Sequence, residues 1–318
     1  MNRPWIDSPF FPSLLETCGL DAETREQVRF FAEHGYVIVD PGIPDETIEE
    51  LNRSLAPYFR PTREPYFADE TRVQDAWPWN PFVREVAIAP RIIDLLRILY
   101  RREPVPFQTL NFRVGSEQRT HSDIIHFDSI PFGYMCGVWT ALEDVNERNG
   151  PLHYYVGSHK LPRFDMHDLG ITAADTNGYE KYHLYEDFVE ELMKERRGER
   201  VELKLERGQS LIWSANLFHG GTPIVDRGRT RFSQVTHFYF EGCLYYTPLF
   251  SDLGLGKLVT REIYDARTSL PVPQFYNGVE VDNPGQWPPQ AIPPWGAVPR
   301  RKSKIRSIRD AVAQLLRP

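Results

Sequence analysis

The chain has 318 residues and a formal charge of −7, from 37 Lys and Arg against 44 Asp and Glu, with 41% hydrophobic and 13% aromatic residues. This is an ordinary globular balance with enough length for one large core. It excludes nucleic acid as an expected partner, since an acidic chain without a concentrated basic face repels phosphate. No apolar stretch approaches the ~20 residues of a membrane helix, so a membrane is not expected either.

The stretch Met1 to Asp7 lacks a signal-peptide core, and a cytoplasmic location is the expectation. Val28 and Phe31 fall at helical spacing, with Gly35 as a helix stop. Tyr36 to Val39 reads as a short strand. Asp45 is placed to cap a helix carrying Ile48, Leu51 and Leu55 on one face. A third helix begins near Pro90, with Ile92, Leu95, Leu96 and Leu99 on one stripe.

Beyond Pro106 the texture turns to short strands: Phe107–Phe112, Tyr134–Leu142 and Leu152–Val156, then Val201–Leu205 with Gln209–Trp213 as its hairpin partner, and Thr230–Phe240. Strands at this spacing imply a sandwich or barrel, so the class is mainly β with surrounding helices. Residues 160–200 interrupt it with one amphipathic helix bearing Tyr185, Phe188, Val189, Leu192 and Met193, an insertion of the length expected for a lid. Residues 271–299 are Pro-rich and read as a surface strap, and 300–318 as a basic docking helix. Cys18, Cys136 and Cys243, odd in number and far apart, argue for reduced thiols rather than disulfides or a zinc cluster.

Two His-x-Asp triplets occur, His121-Ser-Asp123 and His126-Phe-Asp128. On extended chain, residues i and i+2 share a face, so an imidazole and a carboxylate converge on one point. Two histidines and one carboxylate on adjacent positions leave sites open for substrate and dioxygen, the arrangement of non-haem iron(II) oxygenases. His219, just past a strand end and before a glycine turn, is the best third ligand. Arg231, or Arg229 two residues before it, provides a guanidinium for a carboxylate.

Together, His121-Ser-Asp123, Cys136 to Asp144, Asn149-Gly-Pro151, Gly157-Ser-His-Lys160, Phe218-His-Gly220 and Arg231, with Phe30 to Val39, resemble the phytanoyl-CoA dioxygenase family of iron(II)- and 2-oxoglutarate-dependent oxygenases. The resemblance runs from about residue 25 to 245. It implies a double-stranded β-helix (a jelly roll, cupin-like core) with helices packed outside. The chain then divides into 1–106 (N-terminal helices and strands), 107–245 (core, with the lid at about 160–200) and 246–318 (strap and basic helix), all within one oxygenase domain, 1–318. The ungapped match from the metal His to the next Trp places His121, Asp123 and His219 as catalytic metal ligands and leaves His126 and Asp128 as neighbours. The segment from Phe232 to His237 resembles the one after the family's arginine, so Arg231 is preferred to Arg229 for the distal carboxylate of 2-oxoglutarate. Trp139 and Gln108 are further co-substrate contacts.

The resemblance implies iron(II), 2-oxoglutarate and dioxygen as cofactors, and hydroxylation or a related oxidation with release of succinate and CO2. Asp123 argues against halogenation, which needs that position free for halide. Residues 160–200 hold ten acidic against seven basic side chains, giving no basic groove for coenzyme A. A small polar metabolite, sugar or natural-product intermediate is therefore the expected substrate. Trp77, Trp79, Tyr154, Tyr155, Tyr179, Tyr182 and Tyr185 are candidates for stacking on it, near His167 and His183. Two other readings stay open at this point: a non-catalytic jelly roll that binds a small molecule, and a cupin-type metal-dependent isomerase.

Overall fold

The structure, a computed structural model, describes residues 2–59, 72–171 and 179–281. The expected basic helix at 300–318 and most of the Pro-rich strap lie outside the described residues. Among the described residues no helix is long and apolar enough to cross a membrane.

Two facing sheets form a jelly-roll core. The larger has six antiparallel strands in the order β1 (Tyr36–Val39), β8 (Ser210–Ser214), β5 (Met135–Ala141), β10 (Ser233–Phe240), β3 (Pro104–Phe112) and β2 (Arg72–Gln74). The smaller is β7 (Arg200–Glu202), β6 (Leu152–Tyr155) and β9 (His219–Gly221). Two ribbons, β4 (Asp128–Ile130) with β11 (Leu244–Tyr246) and β12 (Gln274–Tyr276) with β13 (Val279–Val281), complete the set.

The sheets face each other through Trp139, Leu211, Trp213 and Val235 on one side and Leu152, Tyr154, Leu203 and Leu205 on the other. Alternation along each strand sends the intervening residues outward. Cys136, Val138, Ile212, Phe238 and Phe240 there meet Val28 and Phe31 of α2 (Ala22–His34) and Ile92, Leu96 and Leu99 of α5 (Pro90–Tyr100). Burying each of these side chains contributes roughly 1.5–3 kcal/mol.

Helix α2 starts where Asp21 accepts the Thr24 N–H and stops at Gly35, whose φ of 86° is open to glycine at little cost. Helix α3 (Asp45–Leu55) buries Ile48, Leu51 and Leu55 as expected, but Asp45 is its first helical residue and makes no capping bond; Pro44 stands at the cap. Two short helices escaped the pattern, α1 (Phe11–Glu16) and α4 (Pro81–Ala87).

One strand pairing is corrected. Val201–Leu205 and Gln209–Trp213 do not form a hairpin: β7 pairs with β6, whereas β8 pairs with β1 and β5. The Glu206–Gly208 turn instead carries the chain from one sheet to the other, which local alternation cannot distinguish from a hairpin. The helix expected in the 160–200 insertion is present as α6 (Tyr182–Arg196), with Tyr185, Val189 and Met193 buried against Ile125, Met166, Phe218 and Leu249.

Candidate active site

His121 and His219 lie directly opposite each other in an isolated antiparallel bridge, each accepting the other's N–H at 2.9 Å. His219 opens β9 rather than trailing a strand, as its place in the sequence had implied. Ser122 is extended (φ −115°, ψ 138°), which returns the Asp123 side chain to the face of His121. The three side chains are buried, and their ligand atoms lie within 4.8 Å of one another. Asp123 Oδ1 is 3.7 Å from His121 Nε2 and 3.8 Å from His219 Nε2.

Both imidazoles are oriented by the same device. His121 Nδ1 donates to the Arg119 carbonyl and His219 Nδ1 to the Leu217 carbonyl, each at 2.9 Å. A carbonyl only accepts, so the ring hydrogen sits on Nδ1 and the Nε2 lone pair faces the third ligand. Gln118 Nε2 lies 3.3 Å from His121 Nε2 and donates to it.

The far oxygen of the carboxylate is held from behind. Trp213 Nε1 donates to Asp123 Oδ2 at 2.8 Å. The indole can lie there because Gly137 has no side chain: a Cβ on it would sit 2.2 Å from Trp213 Cζ2. His237 Nε2 also faces Oδ2, at 3.8 Å, while its Nδ1 donates to Gln108 Oε1 at 2.9 Å. Burial pushes the Asp123 carboxyl up, but the imidazoles of His219, His121 and His237 outweigh it and hold the group well below the usual carboxylate range. Burial pushes His219 down, whereas for His121 the hydrogen bond and charge of Asp123 overcome burial and raise it. The site thus holds a carboxylate beside two imidazole nitrogens, a donor set suited to a divalent transition metal.

Arg231 lies two residues before β10, in phase with its Ser233, Val235 and His237, and is 1% exposed, whereas Arg229 is exposed. Its Nη1 donates to the Gly150 carbonyl at 2.8 Å, and its guanidinium carbon lies 5.3 Å over the Trp139 ring. Burial lowers its pKa to about 10, which leaves it charged at neutral pH. Glu143 is occupied by the Thr230 hydroxyl and the Phe232 N–H, and among the described residues no carboxylate pairs with Arg231. Arg231 Nε, Trp139 Nε1 and Ser233 Oγ are buried without partners. An unpaired buried cation costs several kcal/mol, which an incoming carboxylate would offset.

Residues 31–231 match the family model for phytanoyl-CoA dioxygenase (PhyH). The chain belongs to the phytanoyl-CoA dioxygenase family. It is an iron(II)- and 2-oxoglutarate-dependent oxygenase by that membership, with the family's His-Asp-His cluster assembled. Human peroxisomal phytanoyl-CoA dioxygenase is 23% identical over 251 residues, covering 70% of each chain. A probable phytanoyl-CoA dioxygenase of Caenorhabditis elegans is 22% identical over 233 residues, 62% of this chain and 69% of the relative. Among solved structures, the epimerase SnoN in complex with Fe3+, alpha ketoglutarate and nogalamycin RO superimposes with a TM-score of 0.52 at 20% identity, over 74% of this chain and 90% of SnoN. EctD from S. alaskensis with bound Fe gives 0.53 at 17% identity, over 70% and 77%. These two share the fold.

In this phytanoyl-CoA dioxygenase family member the second triplet does not form a pair. Asp128 is buried in an ion pair with Arg163 and accepts from the Tyr246 hydroxyl at 3.4 Å. His126 instead contacts the lid, its Nε2 lying 3.1 Å from the Tyr182 hydroxyl and its ring 6.1 Å from that of His121. Burial lowers its pKa to about 3. Tyr179 and Tyr182 flank His126, at 5.7 and 4.9 Å between ring centroids. Trp77, Tyr154 and Tyr185 are core residues, and His167 and His183 are exposed. Gln108 meets the site through His237 rather than directly.

Sequence reasoning missed Trp213, His237 and Arg119. Arg119 sends its side chain to Glu186, Asp187 and Glu190 of α6 while its carbonyl orients His121. His237 was detectable: Arg231, Ser233, Val235 and His237 recur at period two, the signature of one strand face.

Proposed function

We propose that His121, Asp123 and His219 hold iron(II), that Arg231 with Ser233 takes the distal carboxylate of 2-oxoglutarate, and that the substrate is a small polar metabolite, sugar or natural-product intermediate. The observation that carries the co-substrate assignment is the buried Arg231 guanidinium over Trp139, with its own Nε, Trp139 Nε1 and Ser233 Oγ all unpartnered. Trp139 Nε1 is a second donor for the same carboxylate. Iron(II) with 2-oxoglutarate supplies, when bound, the oxidising equivalent for C–H functionalisation, with succinate and CO2 released.

The chain's own residues do four things. The Arg119 and Leu217 carbonyls keep both imidazoles in the metal-binding tautomer. Trp213 ties Asp123 Oδ2 back, leaving Oδ1 for the metal. Arg231 sets the depth of the co-substrate by a charge-assisted bond. The aromatic wall of His126, Tyr179 and Tyr182 flanks the face toward the lid and provides area for a ring or sugar to pack against. The net acidic α6, with its acidic face paired to Arg119, is a poor partner for coenzyme A phosphates, which favours a small substrate over an acyl-CoA.

The test is anaerobic titration of metal-free protein with iron(II) and then 2-oxoglutarate. A weak visible charge-transfer band that is lost in Arg231→Ala at low 2-oxoglutarate supports the assignment. Tight iron binding without the band would overturn it. A substrate screen scored by succinate release then separates small polar molecules from acyl-CoA thioesters.

A further inference from the structure

The aromatic wall of His126, Tyr179 and Tyr182 continues into a cation that neither the metal set nor the co-substrate grip uses. Phe127 follows His126 and is half-buried like it, and the Arg261 guanidinium carbon lies 4.7 Å over the Phe127 ring and 6.0 Å over that of Phe107. Arg261 Nη1 donates to the Thr247 hydroxyl at 3.1 Å. The Arg261 backbone is pinned on both sides: its N–H donates to the Tyr245 carbonyl at 2.8 Å, and its carbonyl accepts from Gln274 Nε2. Contacts within the fold therefore fix where this guanidinium lies.

Arg261 borders the same opening as the wall. Thr247 leads into Pro248–Phe250, where the Phe250 ring is 5.7 Å from that of Tyr179, and Tyr179 is 5.7 Å from His126. His126 is 5.9 Å from Phe127, which closes a circuit of contacts through Arg261, Phe127, His126, Tyr179, Phe250 and Thr247. Arg261, Phe127 and His126 are half-buried and Tyr179 is exposed, so this circuit reaches the surface. Its inner edge is His126, whose ring lies 6.1 Å from that of His121. Arg163, a second cation nearby on the Tyr246 hydroxyl, is neutralised by Asp128.

Rings against its face strip water from a guanidinium, and its edge matches a planar or tetrahedral oxyanion. We propose that Arg261 is a specificity-determining residue that takes an oxyanion of the substrate, a carboxylate or a phosphate, while the rest of the molecule packs along His126 and Tyr179 toward the metal cluster. The proposal rests on the iron and 2-oxoglutarate reading, and it narrows the substrate from a small polar molecule to a small anionic one. On that reading 2-oxoglutarate is not the anion meant, because Arg231 and the metal take its two ends.

Benzoate, phenyl phosphate and neutral benzamide serve as probes, each offering one ring to the wall. They are titrated anaerobically into iron(II)-loaded enzyme at saturating 2-oxoglutarate, so that Arg231 is occupied, and the charge-transfer band reports their binding. Wild type is expected to bind at least one of the two oxyanions about tenfold more tightly than benzamide, the worth of one charge-assisted hydrogen bond. The tighter oxyanion names the group. Arg261→Gln is expected to lose that preference, with its affinities for benzamide and 2-oxoglutarate within about threefold of wild type.

If Arg261→Gln does not fold, Arg261→Lys takes its place, and the preference is expected to fall about threefold because the fork is lost. An oxyanion preference equal in wild type and variant would overturn the proposal, as would a wild type that binds neither oxyanion more tightly than benzamide. A tenfold loss of 2-oxoglutarate affinity in the variant would overturn it too, by placing Arg261 against the co-substrate. Iron-loaded wild type without a band would instead remove the underlying reading and this proposal with it.

Discussion

Trp213 and Gly137 face each other across neighbouring strands so closely that the indole occupies the space of the missing side chain, and this places Trp213 Nε1 2.8 Å from Asp123 Oδ2. The carboxylate of the proposed metal set is thus positioned through a glycine that lies outside that set.

Trp213→Phe keeps a smaller aromatic ring in place and removes the N–H. Iron(II) affinity is expected to fall about 10–100-fold, as for other supports of metal ligands, with the melting temperature little changed. Gly137→Ala forces the indole to move, so it should lose both affinity and about 1–3 kcal/mol of stability. Metal titration and thermal melts separate the two; equal affinity in Trp213→Phe and wild type would rule out the support role.

Arg231→Lys keeps the charge and loses the fork. The KM for 2-oxoglutarate should rise about 10–100-fold with iron affinity unchanged, whereas the exposed Arg229→Ala should match wild type. The reverse pattern would assign the co-substrate to Arg229.

Arg119 joins α6 to the candidate metal site, since its guanidinium holds Glu186, Asp187 and Glu190 while its carbonyl holds His121. Arg119→Gln should speed amide exchange in α6 several-fold while leaving the His121 carbonyl contact in place. About 1 M salt should loosen α6 in wild type but add little in the variant, because the ion pairs are partly exposed and screened. Identical exchange in both proteins would show that apolar packing alone seats the helix.

His153 and His159 are buried as neutral rings, with pKa values pushed down by burial to about 3 and about 4 from the usual 6.5. The unfolded chain therefore takes up protons first as pH falls. Their contribution is complete above pH 6.5 and is lost below it, each by up to about 1.4 kcal/mol per pH unit until its folded pKa is reached. Urea midpoints of the metal-free protein should drop from pH 7 to pH 5, and His159→Gln should have a shallower slope. A flat profile would mean that these rings are not held neutral by the fold.

Local features were legible in the sequence where short-range chemistry decides them. Gly35 ends α2, Tyr36–Val39 is a strand, and the His121-Ser-Asp123 triplet converges because one extended residue separates its members. The hairpin expected at Glu206–Gly208 was not realised because sheet choice depends on partners far along the chain, Leu152 for Leu203 and Ala141 for Gly208. Trp213 escaped notice for the same reason, since its carboxylate partner is 90 residues away. Arg229 and Arg231 could be told apart only by burial.

The bridge between His121 and His219 gives the centre a last property. The two imidazoles of the proposed metal set belong to residues zipped together by main-chain bonds, and the carboxylate is tethered by an indole. Main-chain and indole contacts thus tie the three residues together, so on the proposed reading the ion is cargo for the fold rather than its keystone. The chain is then expected to stay folded when metal is chelated, and recovery of activity should track the supply of fresh iron(II) instead of the slower timescale of refolding.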